Sequence, residues 1–302
     1  MSEGYEALRR GAAWFDVTAR GRLRVTGRDR ARLLHNVTTN EVKQLAPGSG
    51  CYAFLLTPQG RIQADLNLFC FTDHFFIDTE PELRETVPRL ILKYKVADHV
   101  EVEDISGTTW AIAIEGPGAV EALSAAGMPA PSEPYSHVPW GECTVANISE
   151  TAQPGFRIFV PASHPRPTLD AITLASEADV RQVRIENGRP RFGEDIRETT
   201  LPQETGQMHA VNFQKGCYIG QEIVERIRAQ GHVNKHLVRL AVETPAPPPR
   251  GTKLMADGKE VGEITSAVWS PQYGVAALAY VRVPHTEPGA VLDTGDLRAR
   301  VT

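Results

Sequence analysis

The run Lys215-Gly216-Cys217-Tyr218-Ile219-Gly220-Gln221-Glu222 sets a thiol directly after a lysine and a glycine, just ahead of a segment with helical periodicity. From Gly220 to Ala229, Ile223, Val224 and Ile227 recur at helical spacing, while Glu222, Glu225, Arg226 and Arg228 take the other faces. A neighbouring lysine and a helix N-terminus both favour thiolate over thiol. Two glycines bracketing the cysteine let the backbone approach a ligand. This pattern points to a reactive Cys217. The competing reading is a small buried hydrophobe.

Two carboxylates carry the other chemical signals. Glu186 lies in Val183-Arg184-Ile185-Glu186-Asn187-Gly188-Arg189-Pro190. By pattern alone it is a helix glutamate ahead of a glycine cap, and it faces solvent unless something pairs with it. Asp65 sits in Ile62-Gln63-Ala64-Asp65-Leu66-Asn67-Leu68. The alternation predicts a strand with Ala64, Leu66 and Leu68 inward and Asp65 outward. Beside a ligand amine, such a carboxylate can take or place a proton or stabilise developing positive charge.

The chain that must position these groups has 302 residues, enough for two or three domains and a substantial core. A net charge of −5 provides no overall basic field, so direct nucleic-acid binding is not expected. Cysteines at 51, 70, 143 and 217 form no Cys-x-x-Cys pair, and the nine histidines show no ligand spacing, so no metal site is expected from this chain alone. Free thiols fit a reducing compartment, and the cytoplasm is the expected location. Met1 to Arg10 is charged and lacks an apolar core like that of a signal peptide. No apolar run is long enough to span a membrane.

Local patterns predict a hairpin from Cys51–Leu56 and Ile62–Phe71 across Thr57-Pro58-Gln59-Gly60. Helices are expected at 29–37, 81–94, 117–126, 168–175, 177–187 and 220–229, and strands at 100–105, 109–115, 145–148 and 156–160. The four tryptophans read as core residues, and Arg89, Lys93 and Lys95 as a solvated helix face. Around Pro245-Ala246-Pro247-Pro248-Pro249 the chain changes character. Short strand patterns at 236–242, 253–255, 259–266, 275–281 and 297–301 predict a small antiparallel barrel. The fold class is therefore α+β, divided into residues 1–230 and a C-terminal β-barrel domain at 231–302.

The octet also resembles the signature of the YgfZ family, folate-binding relatives of the glycine-cleavage T-protein (aminomethyltransferase). Leu201-Pro202-Gln203-Glu204 and Val211-Asn212-Phe213 before it, and Gly231-His232-Val233-Asn234-Lys235-His236-Leu237 after it, extend the likeness. The resemblance implies two intertwined α+β N-terminal lobes and a C-terminal barrel in a three-lobed ring around a folate channel. It implies tetrahydrofolate or a derivative as cofactor, with Glu186 and Arg184 matching the Arg-x-Glu-x-Gly segment through which T-proteins hold the pterin. Asp65 stands where T-proteins carry their catalytic aspartate, with Ala64 replacing the first member of an acidic pair.

Cys217 and Lys215 distinguish this chain from T-proteins, and Arg226 belongs to the same motif as a further cofactor contact. The family implies an accessory factor for iron–sulfur cluster assembly or repair. Its clients would be iron–sulfur proteins, including radical-SAM enzymes that modify tRNA. The alternatives are an aminomethyltransferase of glycine cleavage and a non-catalytic folate sensor. Whether a turnover reaction occurs stays open at this point.

Overall fold

The computed structural model describes residues 1–165, 167–231, 233–295 and 297–302. His232, part of the run after the octet, lies outside the described residues. Two sheets and a barrel organise the chain. The first sheet is assembled from β1 (Ala13–Asp16), β7 (Thr109–Glu115), β8 (His137–Trp140), β9 (Cys143–Ala146), β10 (Gly155–Pro161) and β11 (Thr173–Leu174), in the order β11-β1-β7-β10-β9-β8. The second runs β3-β4-β5-β2-β6, with β2 (Gly21–Thr26), β3 (Gly50–Leu56), β4 (Ile62–Cys70), β5 (Phe75–Thr79) and β6 (Glu101–Asp104). The chain starts the first sheet at β1, builds the whole second sheet, and then returns at β7, so the two N-terminal lobes are interleaved in sequence.

The two sheets pack on each other through aromatic side chains. Phe69 and Phe76 of the second meet Phe159 of the first, with the Phe76 and Phe159 rings 4.6 Å apart. Helices α2 (Arg30–Val37) and α3 (Thr86–Lys93) cover the outer face of the second sheet, burying Leu33, Leu34, Leu90 and Ile91 against Leu66 and Leu68. Helix α4 (Ala119–Ala125) covers the first sheet with Leu123 against Ile112 and Ile158. Both faces of β4 are therefore covered, and a strand expected to turn Asp65 to solvent buries Asp65 and Asn67 as well.

Helix α1 (Glu3–Arg10) packs on α5 (Glu177–Glu186), which begins at a capping box: Ser176 caps the Asp179 amide while the Asp179 carboxylate accepts from the Ser176 amide. Ile185 of α5 packs on Val268, Ala276 and Leu278, tying the N-terminal lobes to the barrel.

The barrel closes in the order β12-β15-β14-β13-β16-β17. Its strands are β12 (Lys235–Val242), β13 (Lys253–Ala256), β14 (Lys259–Ser270), β15 (Gly274–Arg282), β16 (Val291–Thr294) and β17 (Leu297–Val301), all antiparallel. Closure removes the free edges that an open sheet would expose. Helix α6 (Gln221–Gln230) leads into it.

Some local expectations are corrected. The helix expected at 168–175 is absent; the short strand β11 there pairs in parallel with β1, and Leu174 is 59% exposed. Pro165 and Pro167 restrict the approach to this segment, and edge pairing satisfies backbone that a helix would have. Trp269 is 52% exposed rather than core. Strand β16 carries too short an alternation to stand out from its neighbours. Among the described residues, no helix is long and apolar enough to cross a membrane.

Candidate functional site

Asp65 lines a cavity of about 50 Å³ between the two sheets, with Tyr52, Asn67, Glu80, Glu150, Arg184 and Arg189 in its wall. Strand pairing places Tyr52 of β3 opposite Asn67 of β4, two residues from Asp65, and the Tyr52 hydroxyl donates to Asp65 Oδ2 at 2.7 Å. Asp65 Oδ1 is buried and has no hydrogen-bond partner among the described residues. Burial, then the nearby Glu80 carboxylate, pushes the Asp65 carboxyl up to about 6, against the opposing pull of the Tyr52 hydrogen bond, Arg20 and Arg189.

The other carboxylates of this region are paired. Asp78 accepts from Arg20 at 2.9 Å, Arg157 at 2.5 Å and Asn67 at 3.1 Å. Burial alone would raise its carboxyl, but Arg157 and Arg20 outweigh it and hold the group below the usual range. Arg20 also pairs with Glu80, and Arg157 with Glu150 at 2.6 Å. This network satisfies the charges around the cavity and leaves Asp65 as a buried carboxylate without an arginine ion pair among the described residues. An unmade bond at a buried acceptor costs about 1–3 kcal/mol. An acceptor oxygen facing a cavity is suited to a ligand that brings an N–H donor.

Two side chains contact the Tyr52 ring. The His209 ring stacks on it at 5.4 Å, and the Arg189 guanidinium lies 5.5 Å from its ring centre. His209 is the one histidine that stands out in the sequence, close before the octet, and Arg189 lies in the segment that carries Arg184 and Glu186; what the sequence does not show is that both meet the Tyr52 ring.

The structure places the remaining candidates around this centre in different ways. Arg184 lines the cavity, is buried, and is anchored by Asp195 at 2.7 Å and by Glu194. Glu186 is 1% exposed but points to α1: it accepts from the Tyr5 hydroxyl at 3.0 Å and lies 3.8 Å from Arg9. It is not part of the cavity wall that holds Asp65. The solvent-facing alternative for Glu186 therefore fails, because α1 covers that face of α5.

Lys215 is buried, and its ammonium donates to the carbonyls of His35 at 2.5 Å, Thr38 at 2.7 Å and Asn40 at 2.7 Å. Three donors thus meet three acceptors at the C-terminus of α2. Burial lowers its pKa to about 8. The Asn212 side chain accepts from the amides of Gln214 and Lys215, closing the turn that leads to the thiol. Cys217 itself is exposed, so the buried-hydrophobe alternative fails. By contrast Cys51 is buried, and burial pushes its thiol up to about 12.

Gly220 has φ +84°, and a Cβ there would lie 2.6 Å from the Thr57 carbonyl oxygen. That glycine serves contact with the β3–β4 turn of this same chain, not approach to a ligand. Arg226 is exposed on α6. The octet reaches the cavity wall indirectly: Lys215 holds the Asn40 carbonyl, and the Asn40 side chain donates to the Tyr52 carbonyl at 2.8 Å. No group of three or more His, Cys, Asp or Glu side chains suited to a metal occurs among the described residues.

Comparison with known proteins extends these observations. The model of the GCVT N-terminal domain matches residues 1–215, and that of the glycine cleavage T-protein C-terminal barrel domain matches residues 235–301. An aminomethyltransferase of Rubrobacter xylanophilus is 30% identical across 94% of this chain and 80% of its own length. An aminomethyltransferase of Nostoc sp. is 29% identical across 93% of this chain and 80% of its own length. A putative chloroplastic transferase of Arabidopsis thaliana is 27% identical across 97% of this chain and 71% of its own length.

The crystal structure of the glycine cleavage system aminomethyltransferase T from Bartonella henselae matches with a TM-score of 0.89 at 21% identity, covering 99% of this chain and 87% of that one. At that identity the likeness speaks to the fold. The names of the relatives favour the aminomethyltransferase reading over the iron–sulfur reading that the octet put first. Matched by both family models in chain order, and carrying the interleaved lobes and closed barrel, this chain belongs to the family of the glycine-cleavage T-protein.

Proposed function

We propose that this protein binds tetrahydrofolate or a one-carbon derivative in the cavity beside Asp65 and acts as a folate-dependent transferase of the aminomethyltransferase type. The observation that carries the reading is the unpartnered, buried Oδ1 of Asp65 in a site whose other carboxylates are paired. A reduced pterin presents N–H donors, and a carboxylate acceptor in a dry site binds such donors strongly. Bound folate would supply the nitrogen that accepts a one-carbon unit. Asp65 would hold or move a proton at Oδ1, Tyr52 would fix Oδ2, and the paired network would keep water and free counterions out. Glu186 and Arg184 retain a proposed role as pterin contacts, Arg226 as a folate contact and Lys215 as a catalytic neighbour of the thiol. Reconstitution with an aminomethyl-loaded lipoyl carrier protein and tetrahydrofolate tests the reaction. Release of ammonia and methylene-tetrahydrofolate, lost in Asp65→Asn, is the expected result; folate binding without ammonia release would remove the transferase assignment.

A second reading is favoured by one observation: Cys217 is exposed at the end of a turn anchored by Lys215. On this reading the protein is a folate-binding accessory factor for iron–sulfur proteins, of the YgfZ type, and the thiol meets the client or its cluster. A single cysteine cannot enclose a cluster alone, so partner or external thiols would complete it. Iron–sulfur enzyme activity in cells whose chromosomal copy encodes Cys217→Ala, under oxidative stress, tests this reading. Activity equal to wild type would count decisively against it.

A further inference from the structure

The cavity beside Asp65 is too small for its proposed ligand. At about 50 Å³ it falls well short of the roughly 300 Å³ at which small-molecule sites begin. A second cavity of about 150 Å³ adjoins it, lined by Pro134, Tyr135, Asn147 and Ala152. Asn67, Ile148, Ser149 and Arg189 line both. Of these four, Arg189 alone has a long, flexible side chain, so the division between the cavities is set by where its guanidinium lies.

Arg189 is held unevenly. Its backbone is fixed: the Arg189 carbonyl accepts from Arg184 at 2.6 Å, its amide donates to the Arg184 carbonyl at 3.0 Å, and buried Pro190 follows. Its side chain rests on the Tyr52 ring and donates to two neutral groups, the Tyr135 hydroxyl and, at 3.0 Å, Gln207 Oε1. It forms no ion pair among the described residues, whereas Arg20, Arg157, Arg184 and Arg191 around the same cavity all do. Nor does the outer cavity contain another charged side chain among its lining residues. A half-buried guanidinium with only neutral partners, Gln207 and Tyr135, beside a buried carboxylate oxygen with none among the described residues, forms a donor and acceptor set that a ligand can complete.

We propose that Arg189 is a movable partition and a specificity-determining residue: it swings off Tyr52 to join the two cavities, then donates to an acceptor oxygen of the ligand while Asp65 accepts a ligand N–H. This inference rests on the folate reading above and names how that site opens and which ligand atoms it recognises. The acceptor oxygen belongs either to the pterin ring carbonyl or to the benzoylglutamate tail.

The test is stopped-flow and equilibrium binding of tetrahydrofolate to the full chain. It compares wild type, Arg189→Ala, Arg189→Lys and Asp65→Asn, with unfolding midpoints recorded for each. Arg189→Ala is expected to associate faster, because the partition is gone, and to bind about tenfold more weakly, because dissociation speeds up more. Arg189→Lys keeps charge and stem but not the planar fork, so it is expected to restore slow association without full affinity. A repeat with 6-methyltetrahydropterin separates the sources: a penalty that persists assigns the ring carbonyl, and one that vanishes assigns the tail. Wild-type affinity and association rate in Arg189→Ala, with binding weakened in Asp65→Asn, would overturn this inference and leave the folate reading standing. Absence of tetrahydrofolate binding to the wild type would overturn both.

Discussion

The Tyr52 hydroxyl donates to Asp65 Oδ2 at 2.7 Å, and the other oxygen of the same carboxylate, Oδ1, is buried without a partner among the described residues. One oxygen is thereby fixed and the other is offered to the cavity. The bond also favours the ionised form, opposing the burial that raises the Asp65 pKa to about 6. Tyr52→Phe keeps the ring that His209 and Arg189 contact but removes the donor. The pH midpoint of tetrahydrofolate binding is expected to rise by about one unit, which a titration of affinity from pH 5 to 8 measures. An unchanged midpoint would mean that ionised Asp65 does not govern binding.

Asp65→Asn is expected to separate stability from binding. The folded-state pKa of Asp65 lies above its unfolded value, so the folded protein binds the extra proton between about pH 4 and 6. This group's contribution to stability therefore falls as pH rises through that window, and above it the buried charge remains a cost of about 3 kcal/mol. The asparagine variant is expected to lose this pH dependence, to be no less stable than wild type at pH 7.5, and to bind tetrahydrofolate at least tenfold more weakly. Urea unfolding at pH 4.5 and 7.5 supplies the first two readings and calorimetry the third.

Lys215→Met is expected to destabilise the protein by about 3 kcal/mol. It strips the carbonyls of His35, Thr38 and Asn40 of a shared ammonium donor in a buried place. The loss should appear as a lower urea midpoint with an unchanged slope. A cost under about 0.5 kcal/mol would show that water replaces the ammonium readily.

Exposure separates Cys217 from Cys51 and Cys70, both of which are buried. Burial raises the Cys51 and Cys70 thiols, which further slows their reaction. Iodoacetamide at pH 8, followed by peptide mass spectrometry, should label Cys217 completely before either buried cysteine reacts. Cys217→Ser should leave stability within about 0.5 kcal/mol of wild type, as for other exposed substitutions.

Glu186→Ala should cost about 2 kcal/mol, because Tyr5 and Arg9 of α1 lose their buried partner on α5. Its proposed pterin contact is read separately, by tetrahydrofolate titration of the variant under conditions where it is folded. Equal affinity would confine Glu186 to holding α1.

Local pattern and tertiary context divided the information unevenly. The α2, α5 and α6 helices, the β3–β4 hairpin and most barrel strands were legible because apolar spacing and turn residues act over a few neighbours. The segment at 168–175 was not, since its pairing partner β1 lies more than 150 residues earlier in the chain. Asp65 and Glu186 could be singled out by type and setting. Their burial could not, because each alternates or rotates toward a face that only another element covers: the first sheet over β4, and α1 over α5.

By itself the sequence determined the α+β class, the C-terminal barrel, the thiol-bearing turn and the carboxylates worth testing, all through short-range periodicity and residue chemistry. Tertiary structure alone decided which carboxylate offers an unpartnered oxygen to a cavity among the described residues, which arginines are neutralised, and that Arg189 and His209 contact Tyr52. Those outcomes follow from distances between side chains on separate strands and helices, and electrostatic and packing energies depend on such distances rather than on order along the chain.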